Sequence, residues 1–429
     1  MLLANPACGQ LGPPTSLSEQ LAYTVPYTSK MLQRSASYAK QCYTPESSNL
    51  ELDCDTFVKT ALNTSVVTNA SCPFGGGICR SNASNLMLDT GYLDSNNDLG
   101  LNAPPNDWFR LRMVIRCAPI STEGYTTTSN TSSTRSFTRY FYGPRVYAGT
   151  AAQNFTRSFS NDVVNDAAKA GINPPAADYS LSVEAAFYHN RTLRPDSTFA
   201  PVPELQRPDA DVHLIFLAPT TVLFSSRIED PLFRATTPAG NISSLGQGGT
   251  LQYQQVFRPD APALPMACTE QFQFCNGPES PDKCSPLAAI QDALDFLYAK
   301  LVSDDSDNST RHRFDWALSA PTGPAAVRLK EVVQILQAQA LLATDSLYLG
   351  MQGPLPGDQW QLEVQHWHMA SLAHLQAIFV LAATGPGDRE LERFVVSPNN
   401  TVETLFCNSQ VKPTHPSLPS NILIPIQSH

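Results

Sequence analysis

Asp89, Asp94 and Asp98 stand close together in the stretch "NLMLDTGYLDSNNDLGLN", between apolar flanks. Carboxylates at this spacing admit three readings. Asp89-Thr90-Gly91 has the form of the aspartic-peptidase active-site motif, in which two aspartates share a proton because like charges that close cannot both ionise. That chemistry needs a second D-[ST]-G, and Thr344-Asp345-Ser346 is followed by Leu347. A dyad would therefore require a homodimer. Asp94-Ser95-Asn96-Asn97-Asp98 has the alternating oxygen ligands of a calcium loop. Leu99 occupies the glycine position, the glycine is displaced to Gly100, and Pro105 stands where a closing Glu belongs. An EF-hand is excluded, which leaves an irregular calcium site. The third reading is a strand, a turn and a strand, because Asx residues with Gly are turn formers above all. This reading is preferred.

"HWHMASLAH" offers His366, His368 and His374. On a helix, residues two apart lie on opposite faces and His368 and His374 are about 240° apart, so the three do not converge on a metal. Arg110, Arg112 and Arg116 would form a basic stripe on one strand face, suited to a sulfate, phosphate or acidic glycan, with a solvated outer face as the default. The chain has no G-x-S-x-G, no H-E-x-x-H and no phosphate-binding glycine loop. Paired carboxylates of the glycosidase kind are spaced in the fold and not along the chain. No cofactor and no metal are expected.

Ten cysteines, Cys8, Cys42, Cys54, Cys72, Cys79, Cys117, Cys268, Cys275, Cys284 and Cys407, form an even set without a C-x-x-C pair. Disulfides fit this spacing better than zinc. Cys72 with Cys79, or two of Cys268, Cys275 and Cys284, are plausible local pairs. The N-x-[ST] triplets begin at Asn63, Asn69, Asn82, Asn130, Asn154, Asn190, Asn241, Asn308 and Asn399. They exceed what composition alone would supply, which points to an exported surface that carries glycans. A net charge of −10 without a Lys/Arg patch excludes nucleic acid as a partner. The start "MLLANPACGQLGPP" has no basic end and no apolar run of signal-peptide length, and no segment has the length of a membrane span. The chain therefore reads as the exported part of something larger, its targeting or anchoring segment outside these residues.

The elements that must position these groups fall into two regimes. Residues 1–285 read mainly as strands. "FRLRMVIRC" alternates apolar and basic residues, "YSLSVEAAF" repeats the pattern, and "VHLIFLAPTTVLF" is apolar on both faces, as a central strand is. Residues 286–396 change to helical spacing. One helix is predicted after Ser285 as N-cap, through Leu287, Ile290, Leu294, Leu297 and Leu301. A second is predicted from Pro324 to Leu349, and a third from Asp358 until "TGPG". Residues 397–429 form an irregular tail. The class is α+β: a β-rich, disulfide-stapled N-terminal part with a C-terminal bundle of about three helices packed on it.

"CPFGGGICRSNASNLMLDTGYLDSNNDLGLNAPPNDWFRLRMVIRCAPI", "PELQRPDADVHLIFL", "DPLFRA", "CTEQFQFCN" with "CSPL", and "GDQWQLEVQHWHMASLAHLQ" resemble, in this order, the lumenal or extracellular region of a group of uncharacterised membrane proteins from filamentous ascomycete fungi. The resemblance covers most of residues 5–410. It implies hydrophobic spans on either side of this region, absent from the chain itself, and it supplies no catalytic residue. It also implies that the D-[ST]-G stretch is a disulfide-flanked structural loop, with Asp89 a local hydrogen-bond acceptor. The expected function is that of a glycosylated ectodomain that binds or scaffolds without catalysis. Cell-wall glycan, another membrane protein and a small molecule are its candidate partners. The alternative is a secreted carboxylate-dependent hydrolase, a peptidase or glycosidase, using Asp89, Asp94 and Asp98.

Overall fold

A computed structural model describes residues 10–11, 15–44, 54–100, 108–132, 135–146, 153–161, 178–245, 251–277, 283–301, 328–384, 391 and 394–396. The first long element is helix α1 (Val25–Cys42). Strands β1 (Ser65–Ala70), β2 (Asn85–Asp89), β3 (Leu93–Asp94) and β4 (Phe109–Pro119) follow. A small sheet comes next, made of β5 (Thr126–Ser132), β6 (Arg135–Tyr140) and β7 (Arg157–Ser160). Then come β8 (Asp178–Ala186), β9 (Asp211–Thr220), β10 (Leu223–Phe224), β11 (Thr237–Leu245), β12 (Leu251–Arg258) and β13 (Leu264–Asn276). The C-terminal part holds α2 (Ile290–Phe296), α3 (Leu329–Leu336), β14 (Leu347–Tyr348), β15 (Met351–Gln352) and α4 (Gln359–Thr384).

The central sheet runs β1-β2-β4-β13-β9-β8 and is antiparallel throughout, with β3 pairing β4 beyond the end of β2. The alternation of β4 sorts its side chains as expected: Phe109, Leu111, Met113, Ile115 and Cys117 are buried, while Arg110, Arg112 and Arg116 are half-buried on the other face. Strand β9 is buried along nearly its whole length. One of its faces, with Ile215 and Leu217, meets Leu32 of α1, Val332 of α3 and Trp367 of α4. The other, with Leu214 and Phe216, meets Tyr140 and Tyr142 from the region of the β5-β6-β7 sheet. Each such side chain contributes about 1.5–3 kcal/mol of burial, so a strand sandwiched between two layers is apolar on both faces.

Disulfides join Cys42 to Cys54, Cys72 to Cys79, Cys117 to Cys268 and Cys275 to Cys284. The pair Cys72 with Cys79 is as expected, and Cys275 with Cys284 is one of the pairs considered. Cys117 and Cys268 sit directly opposite each other on β4 and β13, with Cα atoms 4.1 Å apart. Cys8 and Cys407 lie outside the described residues, as do Asn308, Asn399 and the tail 397–429. The fold is thus α+β and disulfide-stapled, and its disulfides mark an oxidising, extracellular or secretory compartment. Among the described residues no helix is long and apolar enough to cross a membrane.

Three local expectations need correction. Helix α1 was not anticipated in the strand-rich part; its buried stripe of Leu32, Ser35, Ala36, Ala39 and Cys42 is built of small residues, and Pro26 lies at its start. Ser285 does not cap a helix. Residues 284–288 continue as an extended partner of β13, with Ser285 N–H donating to Phe274 O at 2.8 Å, so α2 starts only at Ile290. Of the helix expected from Pro324 to Leu349, residues 324–327 lie outside the described residues, and the described part is regular only over α3. Gln337 takes φ 52° and ψ −131°, two 3₁₀ turns follow, and Leu347–Gln352 folds back as a hairpin. Strand β15 then pairs parallel with β10, which ties the C-terminal part into the sheet system of the N-terminal part.

Candidate functional site

Each aspartate of the opening cluster is matched to a base. Asp89 ends β2, where its Oδ1 accepts the Gly91 N–H at 2.9 Å and its carboxylate takes the two-pronged Arg112 guanidinium from β4. Burial alone would raise the Asp89 carboxyl, but the Arg112 fork and the Gly91 amide outweigh it and hold it below the usual carboxylate range. Asp94 accepts the Asn96 and Asn97 amides at 2.9 Å and meets Arg110 at 3.4 Å. Asp98 accepts the Asp94 N–H at 2.6 Å and pairs with Lys59. Thr90 accepts the Met113 N–H at 3.0 Å, fixing the chain where it crosses from β2 to β3.

The motif is therefore an Asx-stabilised turn welded to β4, and Asp89 is the local acceptor. The same contacts explain the arginine stripe. Arg110 and Arg112 spend their charge on Asp94 and Asp89, and Arg116 donates to Gln271 Oε1 at 3.0 Å. The stripe is half of an ion-pair ladder and not a face kept open for an anion.

Helix α4 is buried over most of its described length, with Leu362 exposed near its start, and its three histidines are buried with it. His368 Nε2 lies 3.2 Å from Thr64 Oγ1, whereas both ring nitrogens of His374 lack a hydrogen-bond partner among the described residues. Burial pushes all three imidazoles down to about 4, with Lys40 adding to the effect at His366. Among the described residues no group of three or more His, Cys, Asp or Glu could hold a metal ion.

The sequon asparagines within the described residues, Asn63, Asn69, Asn82, Asn130, Asn154, Asn190 and Asn241, are all exposed. Asn69 lies on β1, the edge strand of the central sheet, and Asn63 stands two residues before that strand.

Sequence reasoning missed a cleft of about 320 Å³ between α1 and the 3₁₀ segment after α3. Gln33, Ala36, Ser37 and Lys40 line it from one face of α1, Gln339, Thr344 and Asp345 line the other wall, and the buried His366 lines it from α4. Gln33 Nε2 donates to Gln339 Oε1 at 3.2 Å, and Lys40 pairs with Asp345. Two buried carboxylates fix the surroundings. Glu363 of α4 accepts the Leu342 and Ala343 amides at 2.6 and 2.8 Å, holding the wall segment in its turns. Asp230 accepts the Trp360 N–H at 2.9 Å and so caps the first turn of α4. Only His366 of the cleft residues was visible as a candidate, because the walls lie some three hundred residues apart and become one site only by folding.

Comparison with known proteins finds no matching family model, no matching curated protein and no matching solved structure.

Proposed function

We propose that this chain is a glycosylated ectodomain of a fungal membrane protein, held by segments outside these residues, that works by binding and not by catalysis. The exposure of every sequon asparagine in the described residues carries the reading: a disulfide-stapled domain offers all of them to glycosylation. Binding is favoured over hydrolysis because Asp89, Asp94 and Asp98 are each engaged by Arg112, Arg110 and Lys59. A nucleophile or general base needs a carboxylate free to meet substrate. Membrane attachment and fungal origin rest on the resemblance of the sequence blocks.

The test is fractionation of the native protein, followed by endoglycosidase digestion and gels run with and without reductant. Sedimentation with membranes, loss of mass on digestion and faster migration when unreduced support the proposal. A soluble, unglycosylated product indifferent to reductant removes it and reopens the acidic cluster as an active site.

A further inference from the structure

The α1 cleft is short and closed by two cross-links. Gln33 and Lys40 are two turns apart on one helix face, roughly 10 Å by helical rise. At one end Gln33 bonds Gln339, and at the other Lys40 pairs with Asp345. The volume of about 320 Å³ suits one small ring.

The lining also constrains charge. Lys40 and Asp345 cancel each other at the solvent-exposed end of the cleft, so the lining offers an ionic ligand no net charge to pair with. The other polar side chains, the amides of Gln33 and Gln339, the Ser37 and Thr344 hydroxyls and the His366 imidazole, each carry both donor and acceptor capacity. A sugar hydroxyl has that same double capacity, and Leu336 and Leu341 give its ring carbons an apolar wall. Because His366 is buried and kept neutral beside Lys40, its ring presents one donor and one acceptor instead of a cation.

From this lining we infer that the cleft binds a neutral, hydroxylated ligand the size of a single sugar residue. The inference deepens the binding reading above and rests on it.

Ligand-observed saturation-transfer NMR on the native protein tests it, with D-glucose, D-mannose and N-acetyl-D-glucosamine as probes and D-glucuronate as the charged comparison. At least one neutral sugar is expected to receive saturation, with a Kd of about 1 mM or tighter. Replacing the exposed pair by Gln33→Leu with Gln339→Leu is expected to weaken it about tenfold or more while the melting temperature holds. Tyr253→Ser, on the distant and exposed β12, leaves it unchanged.

Absence of saturation from all three neutral sugars overturns the assignment, and so does binding that survives the double variant. Tighter binding of glucuronate that Lys40→Met abolishes overturns the neutral class. The two proposals fail separately. A glycosylated, disulfide-bonded, membrane-bound protein that binds none of these sugars loses the cleft assignment alone. A soluble, unglycosylated protein whose sugar binding depends on Gln33 and Gln339 loses the attachment alone.

Discussion

At the scale of single residues, one ambiguity has a physical resolution. Asp89-Thr90-Gly91 looks catalytic in one dimension because a peptidase and a turn use the same residue types: an acid, a hydroxyl and a glycine that accepts positive φ, here 61° at Gly91. What separates them is the partner across the sheet, Arg112, whose identity as a partner depends on the register of Asp89 opposite Val114. Alternation in "FRLRMVIRC" made the stripe legible, but register is a tertiary quantity and its matching aspartates were not. If the pair is structural, Asp89→Asn costs about 1–3 kcal/mol by leaving the half-buried guanidinium without its anion. Urea denaturation measures this, and unchanged stability would show that the pair holds nothing.

Elements were read best where one local pattern sufficed. Strands β4 and β8 and the body of α4 came from periodicity, and β9 from an apolar run that continues to Phe224 although the strand ends at Thr220 and Leu223–Phe224 joins another sheet. Helix α1 was illegible because its buried face mixes Met31, Leu32 and Tyr38 with the small Ser35, Ala36 and Ala39, in one core with Ala370 and Ala373 of α4. Small residues let backbones approach but leave little hydrophobic signal. The long second helix was over-read for the opposite reason: its apolar spacing continues, yet Glu363 and Trp367 of α4 bind the backbone at Leu342, Ala343 and Ala340 and pull it into turns.

The break falls at Gln337, whose φ of 52° with ψ of −131° strains any residue with a Cβ. Gln337→Gly is therefore expected to raise stability by about 1 kcal/mol, seen as a higher urea midpoint at constant slope. The Cys117–Cys268 cross-link closes a sequence separation of 151 residues between two central strands. Replacing both by Ala should lower stability by roughly 2–5 kcal/mol, through the freed unfolded chain and the lost packing. A loss below that range would mean that the sheet holds without the clamp.

For the molecule as a whole, buried titratable groups set the response to pH. Burial raises Asp230 to about 6 and Glu363 to about 7 against the amides they accept, and lowers His366, His368 and His374 to about 4. The raised carboxylates add stability as pH falls through their folded values, because the native state then holds protons that the unfolded chain lacks. The depressed histidines act in reverse. Below the ordinary imidazole value the unfolded chain takes up three protons that the native state refuses. Asp211 is raised as well, but Glu270, Asp89, Asp209 and Asp260 are held low by their partners and side with the histidines, so the net balance below about pH 6 is a loss of stability as pH falls.

Melting temperature should thus peak between pH 6 and 7 and decline below it. His374→Leu, which removes two unpartnered ring nitrogens, should raise the peak and flatten the decline. A profile that keeps rising below pH 5 contradicts the assignment of these histidines as buried and neutral. The packing of α1 against α4 also has a consequence in time. Lys40 and Asp345 are separated by 305 residues, so on the ribosome the first helix emerges long before the surface that covers it. At about 5–20 residues per second that interval is on the order of 15–60 s. Through it the nascent chain carries, uncovered, the part of that helix face that α4 and the wall segment shield in the folded molecule, a window in which folding helpers and not the completed core protect it.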